Sequence, residues 1–373
     1  MSPAKYPSDW HLEKLETLAD FHNGKPLENS IVTEGKYKLI TLDSVDIKGN
    51  LKTTHKRSDQ GETLLLKGDI VTVLSDIAHG DLLGLSAIIP ENEQYVLNQR
   101  MGLLRASATI YPEYLRLFIN HNQHFFRDRG QGTSQRHIYK RDFYDFYVAY
   151  PEIEEQKAIA KALADIDELI SYLKSLLEKK SLLFSGVIDK FLILNMHDAE
   201  RAKLGKIALI KTGSKNNNDK SNDGKFKFFV RSDTVEKINS YSYESEAILV
   251  PGEGRIGEIF HYVNEPHEVH QRVYRISDIH DDWNLKFVYW FMRRNFGSHA
   301  LTNTVKATVD SLRLPTFEIF DIPKPKKEEQ TEIARILDEF EDELNNLHIE
   351  ILKYECIKQG MMNDLLTGKV RLI

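Results

Sequence analysis

Two stretches of this 373-residue chain carry a long, regular apolar rhythm. Beyond Pro151 the positions fall at alternating steps of four and three: Ile159, Leu163, Ile166, Ile170, Leu173 and Leu177, then Lys180 in the same series, then Phe184, Val187 and Phe191. Beyond Pro325 they are Ile333, Leu337, Phe340, Leu344, Leu347, Ile351, Tyr354, Lys358, Met361 and Leu365. Each position has its twin 174 residues away, with no gap over about 40 residues. A 3-4 spacing held this long is the seam of a coiled coil rather than the face of a short surface helix. It predicts two helices of roughly 60 Å each, at about 1.5 Å per residue.

Both helices open on one pattern, PEIEEQKAIAKAL at residue 151 and PKKEEQTEIARIL at residue 325. Proline marks a helix boundary, and Glu154, Glu155, Glu328 and Glu329 put negative charge in the first turn, where the helix dipole favours it. Capping leaves the matched Gln156 and Gln330 without a role. Gly186 and Gly360 also match, at mid-helix positions where glycine costs about 1 kcal/mol relative to alanine. A cost met twice at equivalent places points to close approach of another backbone, with a tolerated kink as the alternative.

The segments ahead of the helices correspond more faintly. KLETLADFHNG (14–24) lines up with KLGKIALIKTG (203–213), LKGDIVTVL with SEAILVPGE, and Asn98-Gln99-Arg100 with His270-Gln271-Arg272. A helical stretch, YPEYLRLFINHNQHFF, parallels DWNLKFVYWFMRRNF, and GTSQRHIYKRDFYDFYVAYP parallels KATVDSLRLPTFEIFDIPKP, with Phe143 against Phe317 and Phe146 against Phe320. The predicted organisation is a globular domain (1–150), a long helix (151–194), a second domain (195–324) and a second helix with its tail (325–373).

Composition narrows the class. The chain is 41% hydrophobic and 28% charged, as in a soluble globular protein. MSPAKYPSDWHLEKLE lacks the apolar run of a signal peptide, and no segment approaches the roughly 20 apolar residues needed to span a bilayer, so a cytoplasmic protein without membrane association is expected. The single cysteine, Cys356, excludes an internal disulfide and is read as a buried or inert thiol. The net charge of −6 argues against a simple basic nucleic-acid binder. Most of that acidity lies in 151–194 (net −2) and 325–373 (net −4), counting Lys and Arg against Asp and Glu.

Catalytic signatures are missing. Gly252-Glu253-Gly254-Arg255-Ile256-Gly257 satisfies G-x-G-x-x-G, but that fingerprint needs a following helix, and EIFHYV alternates like a strand. There is no G-x-x-x-x-G-K-[ST] loop and no Asn-Pro-Pro or Asp-Pro-Pro tetrapeptide of the amino-methyltransferase kind. His121 and His124 lie three apart with no third ligand placed by spacing, so they read as surface or packing residues rather than a metal site.

Two divergent domains, each ending in G-[ST]-x-x-x-x-[IL] and then a proline-marked E-E-Q opening a long helix, resemble the specificity (S) subunit of type I restriction-modification systems. In this sequence the run is Gly132-Thr133 to Ile138, then Pro151 and Glu154-Glu155-Gln156. The second half departs from it, with Lys306 in place of the glycine ahead of Ala307, Thr308 and Leu312. The ending LLTGKVRLI also resembles the family's, whereas its twin FLILNMHDA lacks Thr-Gly-Lys.

The resemblance implies an α+β fold, with two α/β target recognition domains separated by two long helices packed as an antiparallel, pseudo-two-fold coiled coil. It implies a non-catalytic protein whose domains each read one half of a bipartite double-stranded DNA site. The helices would set the spacing and dock two methyltransferase (M) subunits, with restriction (R) subunits joining the full complex. No cofactor is expected in this chain; S-adenosylmethionine, ATP and magnesium would sit on the partners. Other readings remain, namely a coiled-coil scaffold or adaptor with two binding domains, and a self-contained enzyme such as a nuclease.

Direct readout of DNA uses Arg and Lys toward guanine and Asn and Gln toward adenine. The candidates in the first domain are Lys52 to Arg57, above all Lys56 and Arg57, together with Gln131, Thr133, Ser134, Gln135 and Arg136. In the second they are Lys215, Asn216, Asn217, Asn218, Lys220, Arg255, Lys306, Thr308 and Arg313. Gln99-Arg100 and Gln271-Arg272 recur in both domains, which suits positioning on the DNA backbone better than reading sequence. Glu155, Gln156, Glu329 and Gln330 are the candidates for partner docking.

Overall fold

The computed structural model describes residues 6–61, 63–77, 80–303 and 311–372. It is an α+β protein that divides into two compact units, Met1–Leu173 with Glu350–Ile373, and Lys174–Ile349. The spacing-predicted helices are present as Ile153–Leu192 and Lys327–Leu365, 40 and 39 residues long. Each contributes one part to each unit.

Every predicted seam position is buried or half-buried. In the first unit, Ile159 and Leu163 of the first long helix share a core with Leu365, the last residue of the second, and with Leu366 just beyond it. Further along, Asp167 accepts from Lys358 at 2.5 Å, so the two segments run antiparallel there. In the second unit, Phe184 stacks on Phe340 with ring centroids 5.8 Å apart and Lys180 bonds Glu343 at 2.6 Å, again antiparallel. These segments complete domain cores rather than standing apart from them. Ile159 and Leu163 pack with Phe118, Phe143 and Phe146, and Ile333 and Leu337 with Trp290, Phe317 and Phe320.

The two domains have one topology. In the first, His11–Lys14 pairs antiparallel with Tyr147–Tyr150, joining the domain's first and last strands. A four-stranded antiparallel sheet follows in the order Ala19–Asn23, Met101–Ala106, Ile70–Val73, Ser86–Ile88. In the second, Arg201–Lys203 pairs with Asp321–Pro323, and the sheet order is Leu209–Thr212, Val273–Ser277, Ala247–Pro251, His261–Val263. A parallel pair recurs too, Tyr37–Ile40 with Tyr95–Leu97 and Phe226–Phe229 with His267–Val269. The aligned phenylalanines are core residues in both copies, with Phe143, Phe146 and Phe317 fully buried and Phe320 nearly so.

One duplicated glycine pair has a steric cause. A Cβ on Gly24 or on Gly213 would stand 1.9 Å from the carbonyl oxygen of Asn98 or Val269, so only glycine lets the chain pass. At Gly186 and Gly360 no described residue beyond the helix's own backbone lies within 4 Å of an added Cβ, so the expected close approach is not made within this chain. Cys356 is exposed rather than buried. Among the described residues, no helix is long and apolar enough to cross a membrane.

Candidate nucleic-acid interface

The sheet register defines corresponding places in the two domains. Met101 pairs with Val73, and Val273 with Pro251. One residue on, Leu74 N–H donates to Arg100 C=O at 3.0 Å, and Gly252 N–H donates to Arg272 C=O at 2.8 Å. An incoming segment closes each place, with Ile138 N–H donating to Leu74 C=O at 2.9 Å and Leu312 N–H to Gly252 C=O at 2.8 Å. The repeated Gln-Arg turn and the end of the central strand therefore meet in both copies. Ser75 in the first domain corresponds to Glu253 in the second, one residue away from the pairing that LKGDIVTVL and SEAILVPGE suggest.

In the first domain the run from Gln131 to His137 is a tight hairpin. Gln131 and His137 exchange both backbone hydrogen bonds, at 2.9 and 2.8 Å. Gly132 has φ 113°, and a Cβ there would stand 2.1 Å from the Gln135 carbonyl oxygen, which accounts for the glycine of the motif. Ile138, fully buried, anchors the arm. Thr133, Ser134 and Gln135 are left exposed on it, and Gln135 donates from its amide to Ser75 Oγ.

A cleft of about 720 Å³ opens beside this arm, lined by Asn23, Leu74, Gln99, Gln131, His137, Tyr139, Lys140 and Arg141. Burial depresses the His137 pKa below its ordinary value, against the opposing pull of the Asp142 carboxylate. The Arg141 guanidinium lies 5.7 Å from the Tyr139 ring centre, and Tyr139 is exposed. Cation, amide and aromatic groups thus share one surface.

In the second domain a cleft of about 400 Å³ is lined by Asn217, Lys220, Val230, Arg231, Ser232, Glu236, Glu253 and Gly254. Glu253 accepts from Arg231 at 3.2 Å and from Arg272, and the Arg272 bond foremost holds its carboxyl below the usual carboxylate range. Lys220 pairs with Glu236 at 3.3 Å, and Arg255 with Asp233. Gly252 to Gly254 thus belong to a connection between antiparallel strands, Ala247–Pro251 and His261–Val263, in place of a dinucleotide fingerprint.

The structure brings some expected residues together and separates others. Gln131 and Gln99 share the first cleft, and Asn217 and Lys220 the second. Arg136 is turned inward, donating to the carbonyls of Arg127 and Gly130 at the end of the helix His124–Arg129. Lys56 and Arg57 lie on another sheet, paired with Tyr37–Ile40, and Arg57 donates to Gly35 C=O at 3.0 Å. Asn216 caps the turn Asn217–Asp219 with its side chain, Asn218 and Arg313 are exposed, and Lys215 accepts at its carbonyl from Gln271 N–H at 2.8 Å. Lys306 and Thr308 lie outside the described residues. Sequence reasoning missed Asn23, Tyr139, Lys140 and Arg141 in one domain and Arg231 and Glu253 in the other. The adjoining Gln-Arg repeat was the signal that could have led to them.

The docking candidates divide sharply. Gln156 is fully buried: its Oε1 accepts from Tyr111 N–H at 2.7 Å, and its Nε2 donates to Pro151 C=O at 2.8 Å and Thr109 C=O at 3.2 Å. Gln330, also fully buried, accepts from Asn284 N–H at 2.8 Å and donates to Pro325 C=O at 2.9 Å and Asp282 C=O at 3.2 Å. Each glutamine ties the start of a long helix to the start of a domain helix, Pro112–His121 or Leu285–Asn303. No side-chain surface is left on either for a partner to touch. Glu155 is nearly buried and accepts from Arg371 at 2.8 and 2.7 Å, while Glu329 is exposed.

Fold and clefts together define a duplicated protein, one scaffold carrying two surfaces of different chemistry. Residues 7–179 and 196–353 match the family described as the type I restriction modification DNA specificity domain, and the chain belongs to that family. It is 23% identical over 416 residues to the specificity subunit of the type I restriction enzyme MjaVIII of Methanocaldococcus jannaschii, covering 100% of this chain and 95% of that protein. It is 30% identical over 141 residues to the EcoDI specificity subunit of Escherichia coli, covering 38% of this chain and 31% of that protein. In fold it is similar to the S subunit of a type I restriction-modification system from M. genitalium, with a TM-score of 0.67 and 17% identity over 98% of this chain and 99% of that one.

Proposed function

We propose that this chain is the sequence-reading, non-catalytic subunit of a type I restriction-modification complex, with each domain reading one half of a split double-stranded DNA site. The observation that carries this reading is the pair of corresponding strand ends, built on one backbone but presenting Gln135, held by the buried Ser75, in one domain and Glu253 with Arg231 and Arg272 in the other. Divergence at matched positions is what two readers of different half-sites require. A long helix of roughly 60 Å exceeds the roughly 34 Å between sites one DNA turn apart, so the helices are long enough to set a spacing.

The partners in this reading are two methyltransferase subunits, docked on the acidic long helices, and restriction subunits in the full complex. S-adenosylmethionine, ATP and magnesium belong to those partners. Leu182 and Leu183, 70% and 56% exposed, lie close to the solvent-open Gly186 on the first helix, and Leu352 and Ile357 are exposed near Gly360 on the second. Exposed leucine beside bare backbone offers a partner helix both apolar area and close approach. Co-expression with a methyltransferase subunit, followed by methylome sequencing, should give one split adenine-methylated motif. Methylation lacking any split motif overturns the reading.

A further inference from the structure

The duplicated arginine of the Gln-Arg turn cannot by itself tell one half-site from the other. The strand end beside it can, because the second domain sets Glu253 against Arg272, whereas the first has the buried Ser75 holding the exposed Gln135. Glu253 is an odd residue to set toward DNA, since a lone carboxylate repels phosphate. Here Arg231 and Arg272 both donate to it, so the three groups together carry a net positive charge while the carboxylate is fixed in place. Its side chain keeps 25% exposure into the cleft that Asn217 and Lys220 also line. A carboxylate offers about four lone-pair sites and the arginines do not use them all, so one acceptor direction remains for a ligand amine. The base edge that donates to Asp or Glu in the major groove is the N4 amino group of cytosine.

Resting on the reading of each domain as a half-site reader, we propose that Glu253 is a specificity-determining residue that accepts from a cytosine N4 amine, with Arg231 and Arg272 as its positioning residues. The half-site read by the second domain then contains a C·G pair at the position facing Glu253. Ser75 and Gln135 occupy the corresponding place in the first domain, where an amide suits adenine.

The test is methylome sequencing of cells expressing the full chain with its methyltransferase partner, as wild type, E253S and E253Q. E253S should relax one C·G position of one half-site by roughly ten- to a hundredfold in preference. E253Q, which keeps the shape but replaces one acceptor oxygen with an N–H2 donor beside the Arg272 guanidinium, should weaken the same C·G preference. The other half-site and the spacing should stay unchanged in both, and thermal midpoints of the purified chains check folding independently. An unchanged motif, a wild-type half-site without C·G, or equal weakening at all positions of both half-sites overturns the assignment of Glu253. Absence of any split motif in the wild type defeats instead the half-site reading beneath it.

Discussion

Gln156 and Gln330 show how a repeated residue can serve the fold alone. Each satisfies one backbone N–H and two carbonyls that have been withdrawn from water, and truncation leaves those groups without partners at roughly 1–3 kcal/mol each. Gln156→Ala and Gln330→Ala should each lower stability by about 2 kcal/mol or more in denaturant titration of the purified chain. Glu155 gives a pH-dependent counterpart. Arg371, which also bonds Asp9 at 3.0 Å, holds the Glu155 carboxyl below its ordinary value of 4.5. A depressed carboxyl contributes stability above its unfolded pKa and loses it as pH falls through the folded one. Arg371→Ala should therefore cost about 3 kcal/mol at pH 7, since it strands a nearly buried charge, and the difference from wild type should shrink below about pH 4.5. A loss independent of pH would assign Arg371 to packing alone.

Among the elements, segments of the long helices complete each domain's own core and the hairpin arm carries side chains outward. Leu163 is 1% exposed among Ile159, Leu365 and Phe146, so Leu163→Ala should cost about 3 kcal/mol. Leu182→Asp, on the exposed side, should leave the thermal midpoint nearly unchanged but reduce co-purification with a methyltransferase subunit. The helices were legible, with every seam position named, because a 3-4 apolar rhythm repeats without gaps. The domains were legible only as faint twins, since each short strand carries few alternations and the duplication has drifted by one residue at Val73 and Pro251. The interface was legible where composition was the cue, as at Gln131 and Asn217. It was illegible where pairing across the sheet decides the role. Arg136 is as polar as its neighbours and still turns inward to helix-end carbonyls, and Glu253 gains its place from arginines 22 and 19 residues away in sequence.

For the molecule as a whole, a duplicated scaffold separates what must be shared from what must differ. The helix starts, the Gln-Arg turns and the core phenylalanines are kept in both copies, while the exposed arm and the strand-end residue diverge. Such a chain should accept a new reader without relearning how to fold or assemble. The most direct measurement replaces residues 1–150 with the corresponding domain of another family member and sequences the methylome alongside the parent. Two independent readers predict one new half-site beside one unchanged half-site at the parental spacing. Alteration of both half-sites together would contradict that account.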